Sequence, residues 1–352
     1  MTLEEVVRSI TPADQNAAAQ AKARWDSIAK PLGSLGALEN AVIRMAAITG
    51  TPNVDISKRA VVVMCADNGV VADGVTQTGQ EVTAIVAENM STGDTSVCAM
   101  GRAAGVEIVP VDIGVATPLH GERILQKNIR RGTANLSQSP AMTREEAERA
   151  VLVGVEVAQE LCANGVKLLG TGEMGIGNTT TSSAVAAVLL GKEPEVMTGR
   201  GAGLSSEGLQ RKIHAIERGI AVNQPDPNDP MDVLHKVGGL DLAGLAGVFL
   251  GGAMCHVPVL VDGFISSVAA LIAARICPNC KDYMLGSHAS DEPASKLVLG
   301  ELGLEPFLYA GMRLGEGTGA VAVMPLLDIG LAVYREMTTF EAADIEAYQP
   351  LT

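Results

Sequence analysis

Aromatic residues and positive charge are both scarce in this sequence. Only 3% of the 352 residues are Phe, Trp or Tyr, and 26 Lys and Arg face 40 Asp and Glu, which gives a formal net charge of −14. An acidic surface repels nucleic acids and anionic membranes, so neither is an expected partner. With 47% hydrophobic residues, the chain is still able to bury a sizeable core.

We expect neither a signal peptide nor a membrane-spanning segment in this sequence. Its start, MTLEEVVRSITPADQ, has no basic segment followed by an apolar one, as a signal peptide would. The most apolar stretches are broken by charge, Pro or frequent Gly within about 20 residues, so no membrane span is expected. We therefore expect a cytoplasmic location.

Cysteine gives little sign of a disulfide framework or a metal site. The six cysteines are Cys65, Cys98, Cys162, Cys255, Cys277 and Cys280. Most lie in Ala- or Val-rich segments, which is typical of small buried hydrophobic residues. The last two form one C-x-x-C, CPNC, but no second pair follows at zinc-site spacing. We expect no metal, and the role of Cys277 and Cys280 stays open.

Short apolar runs alternate with amphipathic segments along the middle of the chain. The runs RAVVVMCADNG, GVEIVPVDIGV, GVKLLGTGE and HVPVLVDGF predict strands that lead into polar loops. The segments EVTAIVAENMSTG, TREEAERAVLVGVEVAQELCANG and SEGLQRKIHAIERGIAVN predict helices between them. This alternation predicts an α/β fold, a Rossmann-like parallel sheet with helices on both faces. Sites in such folds form from loops at the carboxyl ends of the strands.

Both ends of the chain predict helices without strands. In TPADQNAAAQAKARWDSIAK, Thr11 is a candidate N-cap and Pro12 a candidate first helical residue. We expect residues 1–50 and 330–352 to form a small helical domain. Residues 51–329 then form the large α/β catalytic domain.

An acidic residue follows closely after each of three predicted strands. These acids are Asp67, Glu173 and Asp262, in the loops CADNG, GTGEMGIGNTT and VDGF. A single acid in this position is most often a helix cap or a turn residue. Because the carboxyl ends of parallel strands share one edge of the sheet, we expect the three to share a cleft.

The stretch KLLGTGEMGIGNTTTSSAVAAVLLG admits two interpretations. Its glycines with the spacing G-x-G-x-x-G are Gly170, Gly172 and Gly175. This spacing matches a dinucleotide-binding turn and makes an NAD-dependent oxidoreductase one alternative. Such a turn needs a ribose-binding acid about 20 residues on, but Glu193 and Glu195 follow an apparent helix end. Glu173 would also repel a pyrophosphate.

A phosphate site fits the same stretch better. Its residues would be Gly175, Gly177, Asn178, Thr179 and Thr180, just before an apolar helix. Free N–H groups at a helix start favour an anion, glycines allow close approach, and Thr hydroxyls donate hydrogen bonds. No Lys follows the glycines as in a P-loop, so the cation must come from elsewhere. Lys212 is the candidate, and a solvated helix lysine is the alternative.

A second glycine-rich stretch, GMRLGEGTGAVAVMPLL, places Glu316 between Gly315 and Gly317. A carboxylate among glycines and beside apolar surface is poorly solvated. Its pKa should rise, which suits a general base. A helix-capping acid is an equal alternative on this stretch alone.

Six stretches together carry a family resemblance. They are KPLGSLGALE (30–39), VVMCADNGV (62–70), GTGEMGIGNTT (170–180), AVNQPDPNDPMDVLHKVGGLDLAGLAG (221–247), PVLVDGF (258–264) and MRLGEGTGA (312–320). In this order, over nearly the whole chain, they resemble the nicotinate-nucleotide–dimethylbenzimidazole phosphoribosyltransferases. The pair GEMGIGNTT and MRLGEGTGA is the most specific part of the resemblance.

The resemblance implies a pentosyltransferase. It would move the ribose 5-phosphate of nicotinate mononucleotide onto an aromatic base, the later lower ligand of a cobamide, and release nicotinate. It implies no metal or organic cofactor, the two-part fold predicted above, and a homodimer. A non-catalytic paralogue that binds nucleotide and supports an active partner subunit is the alternative, and the presence of Glu316 argues against it.

The resemblance also assigns roles by position. Glu316 is implied to be the general base, and Glu173 a second acid that, if ionised, stabilises positive charge on the ribose. The implied substrate-binding residues are Gly175, Gly177, Asn178, Thr179, Thr180, Lys212, Asp262, Gly263 and Ser290 around the phosphate, Leu314 and Gly315 lining the site next to Glu316, and Gly201 and Ala202 near nicotinate.

Two positions depart from the family pattern where the acceptor base is expected to bind. Benzimidazole-using relatives carry Ser and Gln there, whereas this sequence has Thr78 and Val86. Replacing Gln by Val removes a hydrogen-bonding group and makes the pocket wall drier. The sequence therefore suggests tolerance of unusual acceptors, including phenols such as p-cresol. A phenol-using enzyme could also pair with a similar paralogous chain as a heterodimer.

Overall fold

The structure, a computed structural model, describes residues 1–348. Residues 349–352, the last part of the predicted helical domain, lie outside the described residues. The strands are β1 (Arg59–Ala66), β2 (Glu107–Gly114), β3 (Leu125–Gln126), β4 (Leu168–Met174), β5 (Val259–Val261) and β6 (Met284–Gly286). The helices are α1 (Leu3–Ser9), α2 (Gln15–Ser27), α3 (Ala37–Thr49), α4 (Glu81–Thr92), α5 (Ser96–Ala104), α6 (Arg144–Ala163), α7 (Asn178–Leu190), α8 (Pro194–Met197), α9 (Ser206–Asn223), α10 (Pro230–Val237), α11 (Leu240–Met254), α12 (Phe264–Ile276), α13 (Ser295–Leu302) and α14 (Thr318–Glu336), with 3-10 helices at Gly69–Asp73 and Pro278–Tyr283.

The six strands form one parallel sheet in the order β3-β2-β1-β4-β5-β6. Along the chain, β2 and β3 are added to one side of β1. Strands β4, β5 and β6 are then added in turn on the other side of β1. The predicted α/β fold with a parallel sheet is confirmed. The reversal of direction lies between β1 and β4, and ligands in such sheets bind at the carboxyl ends of the strands beside this point.

Helices cover both faces of the sheet, as the near-continuous apolar strands predict. In β1, Val62 and Met64 face one side, and Val61 and Val63 face the other; all four are fully buried. The first side packs against α11 and α12, and α6 and α10 extend the same apolar cluster. The second side packs against α4, α5 and α14, and α3 extends that cluster. The strands thus separate two apolar cores.

The helices near the chain ends pack against each other and against the second core. The rings of Trp25 in α2 and Tyr334 in α14 lie 5.1 Å apart, and Ile28 forms an antiparallel bridge with Thr339. The predicted boundary between residues 329 and 330 falls inside α14, which is one continuous helix. The division into two domains stays a prediction.

Two expectations about the ends were wrong. Helix α2 begins at Gln15, not at Pro12, because the Asp14 side chain caps it and accepts two backbone N–H groups of the first turn at 2.8 and 3.1 Å. Thr11 is therefore not the N-cap. The helical pattern at the end of the chain stops at Glu336, and the following residues, up to Tyr348, form turns and irregular structure.

Helix α14 is, among residues 1–348, the one helix long and apolar enough to cross a membrane by length and composition alone. Its most apolar stretch is 56% buried inside the protein. It packs against β4, α3 and α5, so burial in the core accounts for its composition.

Candidate active site

A cavity of about 360 Å³ lies at the carboxyl ends of the central strands. The loops that follow β1, β4, β5 and β6 contribute to its wall, together with the loop before α14. The predicted site residues that line it are Glu173, Gly175, Gly177, Asn178, Thr179, Gly201, Ala202, Asp262, Gly263, Ser290, Leu314, Gly315, Glu316, Thr78 and Val86. Thr180 and Lys212 are predicted site residues that do not line it and are fully buried behind it.

The first two glycines of the G-x-G-x-x-G spacing lie inside β4, not in a turn. A Cβ atom at Gly172 would lie 2.5 Å from the backbone oxygen of Glu316 and 2.7 Å from the nitrogen of Gly317. Gly172 therefore lets the start of α14 rest directly on the strand. Because a dinucleotide fingerprint needs its glycines in the turn between strand and helix, the dinucleotide interpretation does not fit.

The loop between β4 and α7 presents an open helix start to the cavity. Gly177 is the N-cap of α7 and has a left-handed φ of 93°. Within residues 1–348, the backbone N–H groups of Gly177 and Thr179 have no acceptor. The loop is held in place by Ile176, whose N–H donates to the Thr83 hydroxyl at 3.1 Å. Free N–H groups at a helix N-terminus attract an anion.

Lys212 places a positive charge behind this loop. Its side chain is 0% exposed, so the alternative of a solvated helix lysine was wrong. Its Nζ donates to the Thr179 hydroxyl at 2.9 Å and to the Gly199 carbonyl at 3.0 Å. Burial lowers the pKa of Lys212 to about 8, and Glu292 opposes this shift. The lysine reaches the cavity through Thr179 in this structure.

Glu173 is the second-last residue of β4, and the Asn178 side chain donates a hydrogen bond to it. The Asn178 amide thus holds Glu173, a contact that sequence analysis did not anticipate. Burial raises the pKa of Glu173 well above its ordinary value, and the charge of Asp241 adds to the rise. Burial therefore favours the protonated carboxyl, which donates a hydrogen bond but carries no charge.

Asp241 is a buried acid of this site that sequence analysis missed. It is fully buried at the start of α11, and the Leu242 N–H donates to its Oδ1 at 2.9 Å. A Cβ atom at Gly175 would lie 2.6 Å from its Oδ2 and 3.1 Å from the Asn68 amide nitrogen. Burial raises the pKa of Asp241 to about 6. Asp241 and Asn68 therefore form the polar floor under the glycine loop.

The loop before α14 has three consecutive residues in the left-handed region. These are Gly315 (φ 85°), Glu316 (φ 61°) and Gly317 (φ 88°). A non-glycine residue in this region is uncommon and strained, and such strain is concentrated at functional sites. The backbone conformation holds Glu316 at the cavity wall, which a helix-capping role does not require.

The Glu316 carboxyl is half-buried, and its Oε2 has no hydrogen-bond partner within residues 1–348. Burial raises the pKa of Glu316, although a hydrogen bond from the Val97 backbone opposes the rise. An acid with an unpartnered oxygen and a raised pKa is suited to accept a proton from a bound ligand.

Asp262 occupies the N-terminus of α14. The Ala320 N–H donates to its Oδ1 at 2.9 Å, which satisfies one of the free donors of that helix start. His288 lies beside it and lines the cavity. Burial raises the pKa of Asp262, and His288 opposes the rise. His288 was not found by sequence analysis, because it follows β6 in a stretch without a motif.

The expectation that three acids share the cleft was wrong for Asp67. Glu173 and Asp262 line the cavity, but Asp67 does not. Its carboxylate points to the neighbouring loop, where Oδ2 accepts the Ala116 N–H at 2.8 Å. Asp67 therefore holds the loop after β2 rather than serving as a cap or turn residue at a helix start.

The remaining residues form the rim. Thr78 is exposed and Val86 half-buried, on the loop and helix that follow β1. Sequence analysis missed three charged residues of the cavity wall: Arg200, Glu292 and Arg313. Among the described residues, no group of three or more His, Cys, Asp or Glu is placed to hold a metal ion.

The parallel sheet, the open helix start with a lysine behind it, and the facing acid are features of an α/β enzyme for a small anionic ligand. Comparison with known proteins identifies the family. A family model described as phosphoribosyltransferase matches residues 10–345. The chain belongs to this family and is a phosphoribosyltransferase.

Named relatives agree over the full length. The chain is 52% identical over 327 residues to the nicotinate-nucleotide–dimethylbenzimidazole phosphoribosyltransferase of Acetivibrio thermocellus, which covers 93% of each chain. It is 47% identical over 351 residues, 100% of both chains, to the enzyme of that name from Clostridium acetobutylicum. The crystal structure of CobT from Thermus thermophilus matches with a TM-score of 0.90 and 41% identity, covering 95% of this chain and 100% of that one.

Proposed function

We propose that this chain transfers the ribose 5-phosphate of nicotinate mononucleotide to 5,6-dimethylbenzimidazole or a related base. The products are nicotinate and the α-ribotide of the base, a precursor of the cobamide lower ligand. The observation that carries the proposal is that one cavity joins an open helix N-terminus to an acid with a free oxygen. The names of the relatives support the choice of substrates.

The start of α7 binds the phosphate in this proposal. The free N–H groups of Gly177 and Thr179 point toward the anion, and Lys212 adds a positive charge through its contact with Thr179. Holding the phosphate fixes the ribose relative to the acceptor, which lowers the entropic part of the barrier.

Glu316 accepts the proton of the acceptor. As the ring nitrogen of the base bonds to C1′ of the ribose, the bond from C1′ to the pyridinium nitrogen breaks, and its electron pair leaves with nicotinate. Attack opposite to the leaving group inverts the β configuration to α. The acceptor N–H becomes acidic during attack, and the unpartnered Oε2 of Glu316 is the base that takes the proton.

In this proposal Glu173 contacts the substrate through a hydrogen bond and not through a negative charge. Burial raises the pKa of Glu173 and so favours its neutral form over the carboxylate. Its carboxyl is held by Asn178 at the cavity wall, where it is placed to donate a hydrogen bond to the ribose.

The acceptor wall has an apolar character that widens the choice of acceptor. Val82, Val86, Met174 and Leu314 line the cavity beside Thr78. The second ring nitrogen of a benzimidazole, whose N–H faces Glu316 in this proposal, loses the additional hydrogen bond that a Gln would offer where Val replaces it, at a cost of about 0.5–1.5 kcal/mol. A phenol has one reacting atom and loses nothing. Phenols, including p-cresol, are therefore proposed as further acceptors, with Glu316 taking the hydroxyl proton.

The test is an assay of the isolated full-length chain with nicotinate mononucleotide and each acceptor, alone and in competition. We expect equimolar nicotinate and α-ribotide, with dimethylbenzimidazole and p-cresol compared as a ratio of kcat/KM. Mononucleotide binding without product would favour the non-catalytic alternative. Absence of product from p-cresol, alone or with a paralogous chain, would remove the phenol part only.

The assembly expected from the family resemblance is a homodimer. Light scattering of the purified chain measures its mass directly. A mass of one chain that doubles only when a paralogous chain is added would support the heterodimer instead.

A further inference from the structure

The C-x-x-C pair that stands out in the sequence is sealed inside the protein. Cys277 is 2% exposed and Cys280 is fully buried. Burial raises the pKa of both thiols, so the reactive thiolate form is disfavoured. This pair is therefore not the reactive dithiol of the molecule.

A different pair of cysteines is brought together by two closely packed helices. Helices α6 and α11 run parallel and touch through glycines. A Cβ atom at Gly154 would lie 1.9 Å from the Gly244 oxygen, and one at Gly251 would lie 2.6 Å from the Ala158 Cβ. The backbones are therefore in direct contact, with no room for larger side chains between them.

The register of this contact continues to Cys162 and Cys255. Ala158 in α6 meets Gly251 in α11. One helical turn further along each helix, the next residues on the same faces are Cys162 and Cys255. Both are half-buried and pack against the edge of the first core. Their partial exposure makes them accessible to small reagents, unlike Cys277.

The chemistry of the two thiols is consistent with a pair. A hydrogen bond shared with Cys162 lowers the pKa of the Cys255 thiol, and the same bond raises the pKa of Cys162. The two thiols therefore act on each other, and either one can attack an oxidant while the other resolves the product.

We propose that Cys162 and Cys255 form a modification site, a dithiol that hydroperoxides oxidise to an intramolecular disulfide. The thiolate of one cysteine attacks a peroxide oxygen, the O–O bond breaks, and a sulfenic acid forms. The thiol of the other cysteine then attacks that sulfur, the S–O bond breaks, and the S–S bond forms. In sum, two thiols and one hydrogen peroxide give one disulfide and two waters, with two electrons passing from sulfur to the peroxide.

The disulfide would tie the ends of α6 and α11 together where they lead into β4 and β5. These ends lie at the amino edge of the strands, opposite the cavity. We therefore expect oxidation to stabilise the fold by constraining the unfolded chain and to leave the cavity unchanged.

The experiment treats the full-length chain with hydrogen peroxide, alkylates the remaining thiols and maps peptides by mass spectrometry. We expect a linked peptide pair that contains Cys162 and Cys255, and two fewer alkylated thiols. The thermal midpoint should rise by a few degrees on oxidation and fall back with a reductant. C162S and C255S should each abolish both effects, while C98S should keep them.

Two outcomes would overturn the proposal. One is a chain in which both cysteines stay alkylatable or end as separate sulfinic acids at peroxide levels that oxidise a free thiol. The other is a linked peptide that joins Cys277 to Cys280. Because unfolding would expose all six thiols, a circular dichroism spectrum before and after treatment keeps the result interpretable.

Discussion

Helices α7 and α14 both begin at the cavity with a glycine N-cap in the left-handed region, yet their N-termini differ in what they hold. At α14 the carboxylate of Asp262 occupies the helix start and accepts the Ala320 N–H at 2.9 Å. At α7 the N–H groups of Gly177 and Thr179 stay free within the described residues. The N-terminus of α14 is thus occupied by a side chain of the protein, whereas that of α7 is free to bind a ligand.

The neighbouring side chains therefore determine what each helix N-terminus binds. Helix α7 has Lys212 behind it, which attracts a further anion. At helix α14 the carboxylate of Asp262 already occupies the N-terminus. Glu316, the residue before the N-cap, is therefore free to accept a proton. We therefore propose that the loop of α7 binds the phosphate and that the loop of α14 transfers the proton.

Glu316→Gln removes the proposed general base at the α14 loop, and of the four variants it has the largest expected effect. Glutamine keeps the size of the side chain but cannot take the acceptor proton. We expect turnover to fall by about 10²–10⁴-fold, the usual range for loss of a general base. The affinity for nicotinate mononucleotide should stay close to wild type, because the α7 loop is untouched.

Steady-state kinetics and calorimetry measure these two quantities. Glu305→Gln is the matched control, since this exposed acid lies outside the cavity. Near wild-type turnover in Glu316→Gln would remove Glu316 from the role of base.

Asp241→Asn tests how much the buried acid under the α7 loop lowers the free energy of unfolding when it is charged. The pKa of this acid is raised from 3.8 to about 6 in the folded protein, so its stabilising effect is complete below pH 3.8 and is lost as pH rises through about 6. The loss amounts to about 3 kcal/mol. Relative to wild type, the variant should gain about this free energy of unfolding between pH 4 and pH 7.

Urea unfolding at the two pH values measures this gain. Asp344→Asn, at an exposed acid, controls for the loss of one negative charge. If the variant and wild type differed by the same free energy of unfolding at both pH values, the pKa of Asp241 would not be raised by burial.

Lys212→Ala removes the positive charge behind the α7 loop, where we propose that the phosphate binds. We expect mononucleotide affinity to weaken by about 1.5–3 kcal/mol, roughly 10- to 150-fold in Kd, the scale of a hydrogen bond to a charged group. Because burial lowers the pKa of Lys212 to about 8, the lysine loses its proton as pH rises through that value. Wild-type affinity should therefore fall between pH 7 and pH 9.

Calorimetry with nicotinate mononucleotide over this pH range tests both statements. In Lys212→Ala the dependence on pH should disappear, whereas Lys192→Ala, at an exposed lysine just after the end of helix α7, should behave as wild type. Unchanged affinity in Lys212→Ala would separate the lysine from the phosphate.

Val86→Gln has the smallest expected effect and tests the acceptor wall. The new amide restores a hydrogen-bonding partner for the second ring nitrogen of a benzimidazole. The kcat/KM ratio of dimethylbenzimidazole to p-cresol should rise by roughly 2- to 10-fold. Ile85→Gln, on the exposed face of the same helix, is the control. An unchanged ratio would make Val86 a packing residue.

Local motifs allowed part of this site to be predicted from the sequence. The glycines and threonines before α7, and Glu316 among its glycines, are neighbours along the chain, so their pattern could be recognised directly. The parallel sheet followed from apolar runs that alternate with amphipathic segments. The same reading correctly placed α4, α6 and α9.

Partners that come together only in the folded chain could not be predicted. Asp241 reaches Gly175, and His288 reaches Asp262, across large separations in sequence. The burial of Lys212 depends on how α9 packs against α7, which no local pattern specifies. Cysteine shows the same limit, because Cys277 and Cys280 are close in sequence and sealed, whereas Cys162 and Cys255 meet only through helix packing.

The division of roles between the two loops is tested most directly by measuring turnover at saturating nicotinate mononucleotide in Glu316→Gln and Lys212→Ala side by side. A residue that only binds the phosphate is compensated by more substrate, and a general base is not. We expect Lys212→Ala to recover to within a few-fold of wild-type kcat and Glu316→Gln to stay at least about 100-fold slower. Full recovery of Glu316→Gln, or an uncorrectable loss of kcat in Lys212→Ala, would contradict it.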